Sequence, residues 1–389
     1  MTFQIKTLNA ISKVGLNRLP ENAFAVGNDF ESPHALLLRS ASLHGIEIPD
    51  SVLAVARAGA GTNNIPIAEY SAKGIPVFNT PGANANAVKE LVVAAIFLAA
   101  RNIIPAASFA HHLDGDATGM DKAVEAGKKQ FVGFELPGRT LGIVGLGAIG
   151  VEVANAAIGL GMKVMGFDPA ITVEHAWNLS SKVERVTTLE AMLKRADIVT
   201  VHVPLVDGTR GLIGADQLAV MRKSAVLVNF ARGPIVDVAA VVDALDGGRL
   251  RGYVCDFPTP ELNKHTNVVT LPHLGASTNE AEENCAYMAA EELKAYLEDG
   301  TIKNSVNFPA AELARVEGTQ RLAIANSNVP NMVGQISTLV AEAGLNISDL
   351  LNKSRGELAY TLVDVDGEVT PALMSKIRSI GGVLSARVI

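Results

Sequence analysis

The sequence predicts an α/β protein built on a doubly wound parallel sheet, with a smaller α+β module at its C-terminal end. Three observations carry this. Short apolar runs recur between stretches of helical spacing, as at Asp197–Val203, Ala225–Val228, Gly252–Asp256 and Asn267–Leu271, and near-continuous apolar strands mean a parallel sheet covered on both faces. Residues 141–168, LGIVGLGAIGVEVANAAIGLGMKVMGFD, place strand, glycine turn, helix, strand and terminal acid in register. Residues 319–389 follow a different order: strand, helix, strand, strand, helix, strand.

A chain of 389 residues is long enough for two or three domains with cores of their own. Its net charge of −7 argues against a nucleic-acid or anionic-membrane partner. The two cysteines, Cys255 and Cys285, lack CxxC spacing, so neither a metal site nor a disulfide framework is expected. MTFQIKTLNAISKVG has no apolar core of the kind a signal peptide needs. The longest apolar run, Leu91–Ala100, is too short to span a bilayer. A soluble cytoplasmic protein is expected.

Taken in order, Ala35–Leu38 reads as a strand ending at Arg39-Ser40, and Val52–Ala56 as one ending at Arg57-Ala-Gly-Ala-Gly61. Val77-Phe78 leads into Asn79-Thr80-Pro81-Gly82. Open α/β sheets bind ligands at strand carboxyl ends, and two arginines there point to an anion site. Residues 84–112 read as one long helix, bent near Pro105. His111 and His112 are adjacent and cannot share a helix face, so no metal pair is expected. Residues 113–138, with Lys128-Lys129, read as a connector, its lysines a solvated patch unless a subunit partner brings them to a ligand.

The glycine turn is a dinucleotide-binding signature, and with its flanking elements it predicts a Rossmann unit. Gly145 allows the tight turn, Gly147 lets backbone approach a pyrophosphate, and Gly150 lets the helix pack on the strand. The helix N-terminus offers free N–H groups to phosphate. Asp168 suits the ribose hydroxyls. It is followed by Pro169 and Ala170, with no cation nearby for a 2′-phosphate, so NAD is expected over NADP. Hydride transfer from an alcohol carbon also needs a base for the hydroxyl proton. His273 follows a predicted strand on the cofactor edge, and Glu261 and Arg232 lie on neighbouring loops. Glu261 suits the far imidazole nitrogen, and Arg232 a substrate carboxylate. His202 better fits a wall of the cofactor pocket.

Residues 1 to about 307 resemble the D-2-hydroxyacid dehydrogenase family. The motifs that carry the resemblance are Arg57-Ala-Gly-Ala-Gly-Thr-Asn-Asn64, Asn79-Thr-Pro81, the glycine turn with Asp168, Val228-Asn-Phe-Ala-Arg-Gly233 and Pro272-His-Leu-Gly-Ala-Ser277. The resemblance implies Arg232, Glu261 and His273 as the catalytic set. It implies cofactor contacts along Gly145, Gly147, Ala148, Ile149, Gly150 and Asp168, then His202, Val203, Pro204 and Thr209, and finally Phe230, Ala231, Asp256, His273 and Gly275, with Asp256 on the nicotinamide amide. Substrate contacts fall on Arg39, Arg57, Ala58, Gly59, Asn79 and Arg232, with the Ala58 and Gly59 amides aiding the carboxylate. The family pattern differs at Asp256-Phe-Pro258 and Glu261-Leu262, and the loop from Glu261 to His273 is short.

The implied architecture is a flavodoxin-like substrate domain (1–90 and 281–307), an NAD-binding Rossmann domain (91–280), hinged lobes, a linker (308–318) and a C-terminal module (319–389) resembling an ACT domain. The implied reaction is NAD-dependent oxidation of 3-phospho-D-glycerate to 3-phosphooxypyruvate, with Arg39, Arg57 or Lys128 on the phosphate. A glyoxylate or hydroxypyruvate reductase and a non-catalytic NADH-sensing corepressor remain as alternatives. A homodimer through the cofactor domains is implied, or a tetramer if the terminal modules also pair. L-serine is an expected effector, held by Asn326, Asn328 and Asn346. Asn331 stands where a glycine is usual, asparagine being the best other tolerator of left-handed backbone.

Overall fold

The computed structural model describes residues 2–389. The chain divides into two compact units, Met1–Asn84 with Asn279–Ile389, and Ala85–Thr278. The crossings thus fall at 84/85 and 278/279 rather than 90/91 and 280/281.

The first unit opens with five strands: β1 (Phe3–Leu8), β2 (Phe24–Gly27), β3 (Ala35–Leu38), β4 (Ala54–Arg57) and β5 (Val77–Phe78). All pair in parallel, in the order β2-β1-β3-β4-β5, the flavodoxin-like order. The all-apolar run of β3 is buried at every position, as a strand covered on both faces must be. One cover is the Asn279–Asp299 helix, which lays Cys285, Ala289, Leu293 and Tyr296 into the core of this sheet.

The second unit holds β6 (Thr140–Val144), β7 (Lys163–Phe167), β8 (Glu184–Arg185), β9 (Ile198–Val201), β10 (Val226–Asn229), β11 (Gly252–Cys255) and β12 (Val268–Thr270). These form one parallel sheet in the order β12-β11-β10-β9-β6-β7-β8. Every strand therefore ends on one edge. The expected single helix over 84–112 is two, Ala85–Arg101 and Ile103–His111, bent by 65°. The break falls at Asn102, whose φ is +51°, and not at Pro105. The supposed connector 113–138 contains a further helix, Ala117–Gly127, and a 3-10 turn, Lys128–Phe131. Among the described residues no single helix is long and apolar enough to cross a membrane.

The C-terminal part of the first unit is an antiparallel sheet of β13 (Thr319–Ser327), β14 (Asn346–Arg355), β15 (Leu358–Asp366) and β16 (Val383–Val388), ordered β14-β15-β13-β16. Its two helices and four strands follow the expected order and fit an ACT-like module. Asn331 does take the left-handed backbone, at φ +64°. Alternation along β13 sends Leu322 and Ile324 to one core and Ala323 and Ala325 to the other. The first core is made with the sheet's own helices, the second with the parallel five-stranded sheet. The residues between are packed rather than loose: Phe308 and Ala311 are buried, and Ile302 bridges to Ala311.

Candidate active site

In the second unit the site is assembled at the carboxyl ends of β6, β7, β9, β10, β11 and β12. The turn after β6 holds Gly145 at φ +91°, where a Cβ would stand 2.8 Å from the His202 carbonyl oxygen. A Cβ on Gly150 would overlap the Gly145 carbonyl, so the helix can approach its strand only without one. Gly147 differs: nothing lies within 4 Å of where its Cβ would be. The Ala148–Gly159 helix begins there with no side-chain cap, leaving the Ala148 and Ile149 amides without intrahelical partners. Asp168, at the end of β7, accepts from the Leu146 and Ala170 amides at 2.8 Å each, which fixes its carboxylate beside the turn with lone pairs to spare.

His202 lies past the end of β9. One ring nitrogen meets the Thr200 hydroxyl at 2.9 Å, and Nδ1 is buried without a partner. Burial pushes its pKa down to about 3, so the ring is neutral. Val203 and Pro204 continue that wall, and the Thr209 hydroxyl donates to the Pro204 carbonyl at 2.6 Å. An open glycine, free helix amides, a fixed acid and an orphaned ring nitrogen suit a dinucleotide's phosphates and ribose.

After β10 the chain turns through Asn229, Phe230, Ala231 and Arg232. Asn229 is wholly buried and clamps this turn: its side-chain oxygen accepts from the Ala231 amide at 3.1 Å and its nitrogen donates to the Arg232 carbonyl at 3.0 Å. Asn229 has no place among the residues expected from sequence. Its signals there are an amide at a strand end and a place in the Val228–Gly233 motif, which gives it no role of its own. The Arg232 guanidinium donates to the Ala231 carbonyl at 2.6 Å, and partial burial lowers its pKa.

His273 follows β12 with φ +57°. Asp256, 1% exposed at the end of β11, holds it there. The His273 amide donates to the Asp256 carbonyl at 3.2 Å, while Leu274 and Gly275 donate to the two carboxylate oxygens at 2.7 Å each. The ring lies edge-on to Phe257, centroids 5.3 Å apart. Phe257 also faces Gly233, where a Cβ would stand 3.3 Å from the Phe257 Cβ, so one phenyl separates the Arg232 turn from His273. The expected Glu261–His273 hydrogen bond is not made among the described residues. Glu261 is exposed, and its own backbone amide and the Thr259 hydroxyl draw its carboxyl below the usual range.

In the first unit, Arg39, Arg57 and Asn79 gather at or just past the ends of β3, β4 and β5. Arg57 donates to the Arg39 carbonyl at 2.9 Å and to the Gly61 carbonyl. Arg39 pairs with Glu282 at 2.6 Å, and Asn79 donates to the Ala60 carbonyl at 2.5 Å. The expectation for Ala58 and Gly59 is corrected: their amides donate to the Leu38 and Arg57 carbonyls, 2.8 Å each. The Ala58 bond continues the β3–β4 ladder, which single-residue reasoning does not see. Lys128, in the second unit, is exposed and paired with Glu125 at 2.5 Å.

The expected effector residues do not come together within one chain. Asn326 is 1% exposed, its amide donating to the Ser327 carbonyl and accepting from Thr361. Asn328, bonded to the Gly356 carbonyl, lies at the same end. Asn346 pairs in register with Asp366 at the opposite end of β15.

Residues 94–275 match the sequence profile of the D-isomer specific 2-hydroxyacid dehydrogenase, NAD binding domain. The chain is 33% identical over 357 residues to D-3-phosphoglycerate dehydrogenase of Haemophilus influenzae, covering 88% of this chain and 83% of that enzyme. It is 34% identical over 357 residues to the Methanocaldococcus jannaschii enzyme of the same name, covering 88% and 64%. Among solved structures, the TT0316 protein of Thermus thermophilus has a TM-score of 0.63 at 27% identity, covering 78% of this chain and all of that one (100%). The NAD+-bound 3-phosphoglycerate dehydrogenase of Entamoeba histolytica has a TM-score of 0.61 at 24% identity, covering 79% and 99%, and shares the fold.

Proposed function

The chain belongs to the D-2-hydroxyacid dehydrogenase family, and from that premise we propose that it oxidises 3-phospho-D-glycerate to 3-phosphooxypyruvate with NAD, at the entry to serine synthesis. The observation that carries this reading is the one sheet edge that supplies the open glycine turn, the Arg232 turn and the His273 turn at the ends of parallel strands. Bound there, NAD would supply a hydride acceptor for the substrate's C2. The pyrophosphate would rest on Gly147 and the Ala148 and Ile149 amides, and the adenosine ribose on Asp168. His273 takes the proton of the 2-hydroxyl at an imidazole nitrogen. Glu261 joins its far nitrogen by leaving Thr259, since catalytic hydrogen bonds often tighten only when substrate is bound. Arg232 holds the carboxylate with its planar fork.

On the first unit Arg39 and Arg57 take the phosphate. Ala60, Gly61 and Thr62, whose amides make no hydrogen bond among the described residues, replace Ala58 and Gly59 as backbone donors. The protein acts in the cytoplasm, a reducing setting that suits two buried thiols. It assembles as a homodimer through the Ile103–His111 and Ala117–Gly127 helices, which bury no residue of their own yet expose Ile103, Ile104, Met120 and Val124. L-serine controls it where two terminal modules pair, and that pairing extends the dimer to a tetramer. Steady-state assay of the purified protein with 3-phosphoglycerate, D-glycerate and D-lactate, each with NAD and NADP, tests the reading. A higher kcat/KM for an unphosphorylated acid, or equal efficiency with NADP, would overturn it.

A further inference from the structure

A cavity of about 390 Å³ opens in the first unit where the edge strand β16 meets the turns leading into β4 and β5. Those turns lie at the amino ends of the two strands, whereas Arg57 and Asn79 sit at or beyond their carboxyl ends. The cavity is therefore at the opposite edge of this sheet from the residues assigned to phosphate. Val52, Leu53, Ile75 and Leu384 give it an apolar lining, and Tyr296 adds an aromatic residue.

Three charged side chains line it: Arg387, Lys73 and Asp50. Arg387 donates to the Leu297 carbonyl at 3.0 Å and to the Tyr296 carbonyl, and its guanidinium lies 4.6 Å from the Tyr296 ring centroid. Its two terminal nitrogens carry four N–H bonds against these two carbonyls, and no carboxylate pairs with it among the described residues. The contrast with Arg321 is informative, since that buried guanidinium donates to both carboxylate oxygens of Asp364 along one edge. Lys73 reaches Glu69 only at 3.7 Å on the surface. A carboxylate is the group whose geometry matches the paired terminal N–H groups of an arginine fork.

We propose that this cavity binds a small aliphatic carboxylate, its head on Arg387 and its tail against Val52, Leu53 and Leu384. The net positive lining selects an anion, the apolar lining selects a hydrocarbon tail, and the volume sits at the small end of ligand pockets. Amino acids and 2-oxo acids share that chemistry, and Asp50, which has no ion-pair partner among the described residues, would favour an α-ammonium. A ligand here ties the terminal sheet to the turns that open β4 and β5, the strands carrying Arg57 and leading to Asn79.

The test is calorimetric titration of the whole protein, without substrate or cofactor, using L-leucine, 4-methyl-2-oxopentanoate and the neutral 4-methylpentanamide. At least one acid should bind and raise the melting temperature, and the amide should do neither. Whichever acid binds more tightly identifies the source. Arg387→Lys keeps the charge but loses the fork and should weaken binding about tenfold or more. Lys73→Gln, on an exposed side chain, should weaken it about two- to threefold and keeps the proposal testable if the Arg387 variant does not fold. Absence of binding by both acids at millimolar concentration, equal binding of the amide, or affinity unchanged in a folded variant of both sites would each overturn the proposal. None of these outcomes depends on turnover of phosphoglycerate.

Discussion

His273 is set in left-handed backbone, and the four other non-glycine residues with positive φ among those described are all asparagines. A histidine pays about 1–3 kcal/mol for that conformation, which persists only where neighbours over-determine it. Here the Asp256 carboxylate does so through the Leu274 and Gly275 amides. Asp256→Ala should therefore lower kcat about 10²-fold, by letting the imidazole leave its working position. His273→Ala should remove nearly all of kcat, about 10²–10⁴-fold, and leave NADH binding intact. Both are read by steady-state kinetics beside NADH titration. An Asp256 variant with unchanged kcat would sink the positioning role. His273 was legible because it follows a strand on the cofactor edge. Phe257 as its neighbour, and the distance of Glu261, were not, because a side chain's choice between Thr259 and His273 depends on loop geometry that spacing does not carry. Glu292 was equally hidden. It is 5% exposed, one oxygen accepts from Asn304 at 2.7 Å, the other has no partner, and burial raises its pKa to about 8. The folded state thus favours the neutral acid. That contribution to stability is complete below pH 4.5 and is lost as pH rises to about 8. Glu292→Gln should match the parent below pH 4.5 and exceed it by a few kcal/mol near pH 9, measured by urea unfolding across that range. Parallel curves would refute it.

At the scale of elements, periodicity located most strands and helices, since buried parallel strands are near-continuous apolar runs and the glycine turn dictates its own surroundings. It failed over residues 84–138 for a definable reason. Pro105 suggested the bend, but it lies in the first turn of the Ile103–His111 helix, where a missing N–H costs nothing. The chain instead turns at Asn102, whose side chain donates to the Phe131 and Val132 carbonyls at 3.3 Å. Asn102→Gly should keep the bend at little cost, and Asn102→Val should lose about 1–2 kcal/mol of stability, β-branched residues being poorly suited to positive φ. Thermal melts of the two variants side by side decide it. Equal losses would place the bend in packing rather than backbone conformation.

At the scale of the molecule, the terminal sheet is joined to its unit through charge as well as apolar packing. Arg321 and Asp364 are both fully buried, and Arg321 also donates to the Asp299, Leu313 and Ala314 carbonyls. This binding of the module to its unit leaves β14 as a sheet edge, and it bears on the proposed serine control. Along β15, Asn326 registers with Ala359 and Asn346 with Asp366, a span of about 23 Å at ~3.3 Å per residue. One chain therefore cannot close Asn328 and Asn346 around a single amino acid. Two chains paired antiparallel along β14 can, each contributing one end, and a two-fold axis makes two such sites. Asn328→Ala and Asn346→Ala should each abolish serine inhibition while leaving kcat unchanged. Co-expressed, they should restore part of it, because a mixed pair keeps one site with both amides intact. Inhibition is measured on the purified homo- and hetero-oligomers over a millimolar serine titration. Parent-like inhibition in either single variant, or none in the mixed oligomer, would remove this arrangement and leave the sheet edge a pairing surface alone.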